Sequence, residues 1–173
     1  MRPPSGSGAG FGVRPADPDD LAAIVEIEAG PQTGRFLGVT GRGFHGRALA
    51  DPDQEQLVAE CGGEVVGFVV LAGLRDGGGR VELRRIVVAH GHRGAGYGRL
   101  LFRAVVDRAY RRYGARQVWL DVKPDNSRAQ ALYASEGFVP AGTIADPTDP
   151  GGVLLLLEHT PGAPVPAGEQ TSH

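Results

Sequence analysis

Glu82-Leu-Arg-Arg-Ile-Val-Val88, a short connection, and then Arg93-Gly94-Ala95-Gly96-Tyr97-Gly98-Arg99 decide the fold of this chain. The first run is rich in β-branched residues and reads as a strand. From Arg99 to Tyr113 the residues Leu100, Leu101, Ala104, Val105 and Ala109 recur at helical spacing, and Gly114 closes the helix. A strand that feeds a helix through closely spaced glycines has two physical readings. The glycines can serve only a tight turn. They can also let several backbone N–H groups converge on an anion where no Cβ intrudes, with the positive end of the helix dipole behind them. Arg93 and Arg99 bracket this loop as further cations.

Working outward towards the C-terminus, Gln117–Val122 is a strand, and Asp125 or Asn126 caps a helix that runs through Glu136 and stops at Gly137. Phe138–Ala141 and Val153–Glu158 supply two last strands, the latter with four consecutive leucines and therefore expected inside the sheet. Towards the N-terminus, Gln56–Glu60, the turn Cys61-Gly62-Gly63 and Glu64–Leu71 form a hairpin, and Val81–Val88 adds a third antiparallel strand after a turn at 75–80. Phe11–Arg14 is extended. Asp17 or Asp19 then caps a first helix that shows Leu21, Ile24, Val25 and Ile27 on one face. Residues 29–50 mix many glycines with Arg35, Arg42 and Arg47 and read as irregular, with one short helix near Phe44–Ala50.

Antiparallel strands followed by a β-α-β crossover give a mixed sheet with helices on its faces, an α/β or α+β architecture. Strand 81–88 carries a defect. Strict alternation places Glu82, Arg84, Ile86 and Val88 on one face and Val81, Leu83, Arg85 and Val87 on the other, and neither set is apolar. A bulge or a splay that bares backbone to a ligand is the expected resolution.

The chain of 173 residues, 41% hydrophobic and 22% charged, suits one domain, here 11–159, between Gly/Pro-rich tails at 1–10 and 160–173 that are expected to be disordered. A net charge of −2 without a basic stripe argues against nucleic acid. No stretch reaches the ~18 apolar residues of a membrane span, so no membrane partner is expected. Cys61 is the single cysteine, which rules out an intrachain disulfide, gives no support for a metal site and fits a reducing cytoplasm. Its thiol reads as idle. Seventeen arginines against the one lysine, Lys123, fit a GC-rich bacterial genome. His90 and His92 read as solvated loop residues rather than metal ligands.

Spacing separates the phosphate motifs. A Walker loop fails because Gly96 is followed by Tyr97 and no lysine lies nearby. A dinucleotide fingerprint finds Arg99 where its third glycine belongs, and it opens the first strand of a domain, whereas here several antiparallel strands come first. It stays as an alternative.

The chain resembles the Gcn5-related N-acetyltransferase (GNAT) superfamily. Arg93-Gly94-Ala95-Gly96-Tyr97-Gly98 matches that family's Q/R-x-x-G-x-G/A signature, and Asn126-Ser-Arg-Ala129-Gln-Ala-Leu132-Tyr133-Ala-Ser-Glu-Gly137-Phe138 is similar to its N-x-x-A-x-x-L-Y-x-x-x-G-F segment. The resemblance implies a mostly antiparallel central sheet of six to seven strands flanked by about four helices, splayed between the strand before the glycine loop and the strand after its helix. It implies acetyl-CoA as co-substrate, without metal, and transfer of the acetyl group to an amine of a small molecule or peptide. A homodimer is left open.

Residue by residue, the resemblance assigns the main chain of Ile86, Val87 and Val88 to pantetheine. The amides of Arg93, Gly94, Ala95, Gly96, Tyr97, Gly98 and Arg99 fall to the pyrophosphate. Asn126 caps its helix, contacts pantetheine, or does both. Glu82 takes the place of the general base, acting directly or through water, and Tyr133 that of the proton donor to the leaving thiolate. Read on their own, Glu82 can equally pair with Arg84 or Arg80, Tyr133 can be a packed aromatic, and Asp121 reads as a local ion-pair partner. A coenzyme A-binding module without turnover would carry the same loop. Acceptor specificity is expected in 20–50 and 142–152, where an acidic first helix and the following arginines give opposite signals. A peptide N-terminus, a polyamine, an aminoglycoside and an amino acid all remain open.

Overall fold

The computed structural model describes residues 10–30 and 41–162; the tails expected at 1–9 and 163–173, and residues 31–40 with Arg35, lie outside the described residues. Seven strands, β1 (Phe11–Pro15), β2 (Glu55–Cys61), β3 (Glu64–Ala72), β4 (Arg80–Val88), β5 (Gln117–Val122), β6 (Val139–Ala145) and β7 (Val153–His159), build one sheet in the order β1-β2-β3-β4-β5-β7-β6. Every neighbouring pair is antiparallel except β4 and β5. The helices are α1 (Leu21–Glu28), α2 (Gly41–Ala50), α3 (Tyr97–Arg111) and α4 (Ser127–Ser135). None of them is long and apolar enough to cross a membrane.

Local chemistry sets most boundaries. Gly62 and Gly63 close the β2–β3 hairpin at φ of 60° and 84°, a pair that a two-residue turn with matching twist requires. Asp17 caps a 3-10 turn at Pro18–Asp20 rather than α1 itself, its side chain accepting from the Asp19 amide while Asp20 accepts from the Asp17 amide. α1 follows without a break. α2 starts three residues before the expected Phe44, because its first amide, Gly41, donates to the Glu28 carboxylate at 3.1 Å. β6 runs on to Ala145, four residues past the expected end, so the loop predicted at 142–152 begins later. A register shift between Pro140 and Gly142 hides the strand in the sequence. β7 sits between β5 and β6, the interior place its leucines predict.

A bulge resolves the mixed faces of β4. Val70 faces Arg85 and Leu71 faces Leu83, which leaves Arg84 as the extra residue. Before it Val81 and Leu83, and after it Ile86, pack into the larger core with Leu101, Phe102 and Val105 of α3 and with Tyr133 of α4. Val87 turns the other way, against Ile24 and Ile27 of α1 and Phe68 of β3. Glu82 and Arg85 therefore share the α1–α2 side with Val87, a grouping that replaces the strict alternation. Gly67 of β3 lets the strands and α3 close up, since a Cβ there would lie 2.8 Å from the Val87 carbonyl oxygen and 3.4 Å from Leu101 Cδ2.

The feature that makes a site is a short ladder. β4 and β5 pair only from Arg80 to Glu82 against Gln117 to Trp119. Beyond those residues the strands part, and the remainder of both lines a cavity.

Candidate functional site

The cavity, about 860 Å³, lies between the far halves of β4 and β5 and is closed by the α3 loop and by α4. Its volume is in the range of a small-molecule site. Of the residues singled out in the sequence, Ile86, Val87, Val88, Arg93, Gly94, Gly96, Gly98, Arg99, Asn126 and Tyr133 line it; Ala95, Tyr97 and Glu82 do not.

The loop is built for an anion. Gly94 and Gly96 hold φ of 83° and 82°, and nothing lies within 4 Å of where their Cβ atoms would be. An L-residue would be strained there and would fill the open side of the loop. Gly96 occupies the N-cap of α3 without a side-chain cap, and among the described residues the amides of Gly94 to Arg99 donate to no backbone carbonyl. Those donors stand at the positive end of a 15-residue helix, an arrangement suited to an anion. Arg93 Nε donates to the Val88 carbonyl at 3.2 Å and ties the loop to the end of β4. The Arg99 guanidinium instead reaches Ser135 Oγ at 2.9 Å and the Glu136 carboxylate, which Arg103 also holds, so it pins α3 to the end of α4.

Tyr97 offers the cavity nothing but its main chain. Its ring stacks on Phe11, centroids 5.7 Å apart, and its hydroxyl lies 3.2 Å from Cys61 Sγ, so the thiol read as idle braces the loop from the hairpin side. His90 and His92 form a 3-10 turn before the loop, with His92 tilted against Tyr97 at 5.9 Å.

On the opposite wall Asn126 caps α4 by accepting from the Ala129 amide at 3.3 Å. Tyr133, about two turns further along, is 8% exposed and packs its ring against Phe102 at 5.1 Å and Phe138 at 6.3 Å. Packing and cavity lining are thus both true of it. Its hydroxyl forms no hydrogen bond among the described residues, and burial, with a smaller push from the Asp121 charge, raises it to about 12. It therefore keeps its proton through the neutral range and can give it only to a stronger base.

Glu82 is clasped by Arg84, with Nη2 at 2.9 Å and Nε at 3.2 Å, the surface pairing the sequence left open. Asp121 is different. It projects from β5 to the same side as Glu82 and lines the cavity, and its side chain has no hydrogen bond or ion pair among the described residues. The residue is exposed at the cavity mouth, yet its carboxyl is pushed up from the ordinary carboxylate range, first by partial desolvation, then by the charges of Glu82 and Asp146, against the weaker pull of Arg84 and Arg85. The sequence offered one signal for it: an aspartate set between Leu120 and Val122 in a largely apolar strand.

A second missed constellation is mostly buried. Glu28, at the end of α1, accepts from His45 Nε2 at 3.1 Å and from Arg85 Nη1 at 3.2 Å, and Gln56 Nε2 donates to His45 Nδ1 at 2.8 Å. Glu28 and His45 are 0% exposed. Removing one partner of such a buried pair costs roughly 3–5 kcal/mol because it leaves the other charge uncompensated. Arg85, with Phe44 under its guanidinium at 5.6 Å, carries this network to the cavity wall.

Known proteins share the family and the fold. The acetyltransferase (GNAT) family matches over residues 21–138. Streptothricin acetyltransferase of Streptomyces lavendulae is 33% identical over 139 residues, covering 79% of this chain and 67% of that protein. N-alpha-acetyltransferase RimI of Mycobacterium tuberculosis is 37% identical over 97 residues, covering 56% of this chain and 59% of its own. The chain spans about three fifths of the length of the first curated relatives it matches. The spermidine N-acetyltransferase of Vibrio cholerae, solved with CoA and spermine, superposes with a TM-score of 0.78 at 18% identity, covering 89% of this chain and 97% of that one. That likeness is one of fold.

Proposed function

Because the chain belongs to the acetyltransferase (GNAT) family, we propose that it transfers an acetyl group from acetyl-CoA to a primary amine by direct attack, with both substrates bound at once. One observation carries this reading: Asp121 and Tyr133 face the same cavity from neighbouring elements, while the glycine loop closes its other end. An alkyl ammonium titrates near ~10.4, so a carboxylate must take its proton before the nitrogen can attack. Asp121, raised and lining the cavity, is better placed for that than Glu82, whose carboxylate Arg84 holds. We assign the proton to Asp121 and give Glu82 the supporting part of raising Asp121 by its charge.

When bound, acetyl-CoA supplies an activated thioester. The residues of the chain do the rest. Amides 94–99 hold the phosphates, the open edge of β4 from Ile86 to Val88 receives pantetheine, and Asn126 fixes the start of α4 beside it. Asp121 takes the ammonium proton and releases it to solvent. The nitrogen then bonds to the acetyl carbon, its second proton passes to Asp121, and the carbon–sulfur bond breaks as Tyr133 gives its proton to the sulfur. The proton on Asp121 returns through solvent to Tyr133. The reading places the protein in a bacterial cytoplasm, as the bacterial sources of its relatives support.

Thermal denaturation and thiol release test the proposal together. Acetyl-CoA is expected to raise the melting temperature by mass action where NAD does not, and coenzyme A thiol is expected to appear with at least one amine of a broad panel. Stabilisation by acetyl-CoA with no thiol release from any amine would instead identify a coenzyme A-binding module without turnover.

A further inference from the structure

The sequence holds a single side-chain amine, Lys123, and the fold puts it at the cavity. All its other strongly basic side chains are arginines, whose guanidinium stays protonated and is no nucleophile for a thioester. Lys123 follows the end of β5, two residues after Asp121, about 7 Å along an extended chain. Asp121 and Tyr133 line the same cavity.

The main chain of Lys123 is fixed. Its carbonyl accepts from the Asn126 amide at 3.0 Å and from Gln130 Nε2 at 3.1 Å. Its side chain is held more loosely, 27% exposed, with Nζ 3.7 Å from Asp146 Oδ2, longer than a hydrogen bond. Asp146 itself is anchored, its Oδ1 accepting from both the amide and the hydroxyl of Thr148. The Asp146 charge acts on Asp121, so the ammonium rests on a carboxylate that neighbours the proposed base. A flexible four-carbon stem on a fixed base lets the nitrogen leave Asp146 and turn into the cavity without moving the backbone. An amine tethered this way meets a bound thioester at an effective concentration on the order of millimolar or above, whatever the dilution of the protein.

We propose that the protein acetylates its own Lys123 when acetyl-CoA is bound and no external acceptor competes. This rests on the acetyl-transfer reading above and uses the same groups. The Lys123 ammonium gives one proton to Asp121 and thence to solvent. Its nitrogen then bonds to the acetyl carbon and passes a second proton to Asp121, while the carbon–sulfur bond breaks and Tyr133 protonates the sulfur. The products are coenzyme A thiol, a neutral amide on Lys123 and one proton released to solvent. The amide carries no charge, so the ion pair with Asp146 is lost.

The test incubates the intact protein with acetyl-CoA alone and reads Lys123 by peptide mass spectrometry. The half-time of acetylation is expected to stay constant over about a hundredfold range of protein concentration, as an intramolecular step requires. Excess coenzyme A, which competes for the cavity, should slow it severalfold. Lys123→Arg keeps a cation against Asp146 and is expected to lose the stoichiometric burst of thiol that wild type releases without an acceptor. A rate that rises with protein concentration, or one that excess coenzyme A leaves unchanged, means transfer between chains or unassisted chemistry and overturns the proposal. Unmodified Lys123 beside thiol release with an external amine overturns it and leaves acetyl transfer standing. Neither modification nor release with any amine overturns both.

Discussion

Asp121 and Glu82 stand on one face of the sheet on either side of the β4–β5 split, and the charge of Glu82 strengthens the hold of Asp121 on its proton. Their variants should therefore differ in kind. Asp121→Asn is expected to lower kcat/KM by about 10²–10⁴-fold, the usual contribution of a general base. Glu82→Gln should retain most activity and move the acidic limb of the pH–rate profile to lower pH, because Asp121 then ionises more easily. Should Glu82→Gln cost as much as Asp121→Asn with the limb unmoved, Glu82 is the base.

Stability should move the opposite way from activity. The Asp121 carboxyl is raised in the folded state, so the native protein binds this proton more tightly than the unfolded chain does. Its effect on stability is then unfavourable above its raised value, and diminishes as the pH falls through the window between the raised and the unfolded values. Asp121→Asn should accordingly melt higher than wild type at neutral pH, the gap narrowing towards about pH 4, where the unfolded carboxyl takes up its proton. Equal melting temperatures at pH 7 would show that the cavity does not penalise this charge.

Gly96→Ala and Gly114→Ala make a matched pair. Both glycines have positive φ, 82° and 62°, and both have open space where a Cβ would stand. Each substitution should cost about 1–2 kcal/mol of backbone strain. Only Gly96 borders the amides proposed for the pyrophosphate, so only Gly96→Ala should also weaken acetyl-CoA binding. Calorimetric titration with coenzyme A decides: equal affinity in the two variants would remove the anion role from the loop.

Tyr133→Phe keeps the ring against Phe102 and Phe138 while deleting the hydroxyl. The melting temperature and the acetyl-CoA affinity are expected to hold, and kcat to fall. With the hydroxyl raised to about 12, wild-type activity should show no loss traceable to Tyr133 up to about pH 10. A Tyr133→Phe protein with wild-type kcat would leave the tyrosine a packing residue.

What the sequence disclosed and what it withheld divide by range. The glycine loop, the Asn126–Phe138 segment and the Gly62-Gly63 turn are local chemistry, in which neighbours along the chain determine one another, and each could be read directly. The mixed faces of β4 announced a bulge, but its place at Arg84 depends on the partners Val70 and Leu71. β6 was cut short because Pro140 and Gly142 imitate a turn, and pairing with β7 overrides them. Asp121 passed as a local ion-pair member, since its isolation depends on what fails to approach it from β4 and from the turn at Asp146. The contact of Glu28 with Arg85 spans 57 positions, and no pattern in either neighbourhood reports it.

The three-residue ladder between β4 and β5 has one more consequence. Exposed strand edges normally invite other chains, and proteins defend them with charge, proline or a covering element. Here two edges lie inside the sheet, roofed by α3 and α4, where another polypeptide cannot lie alongside them. A slender, flexible molecule with amide groups of its own can slide in and take the place of the missing strand. The fold thereby sorts its visitors by girth before any side chain inspects them.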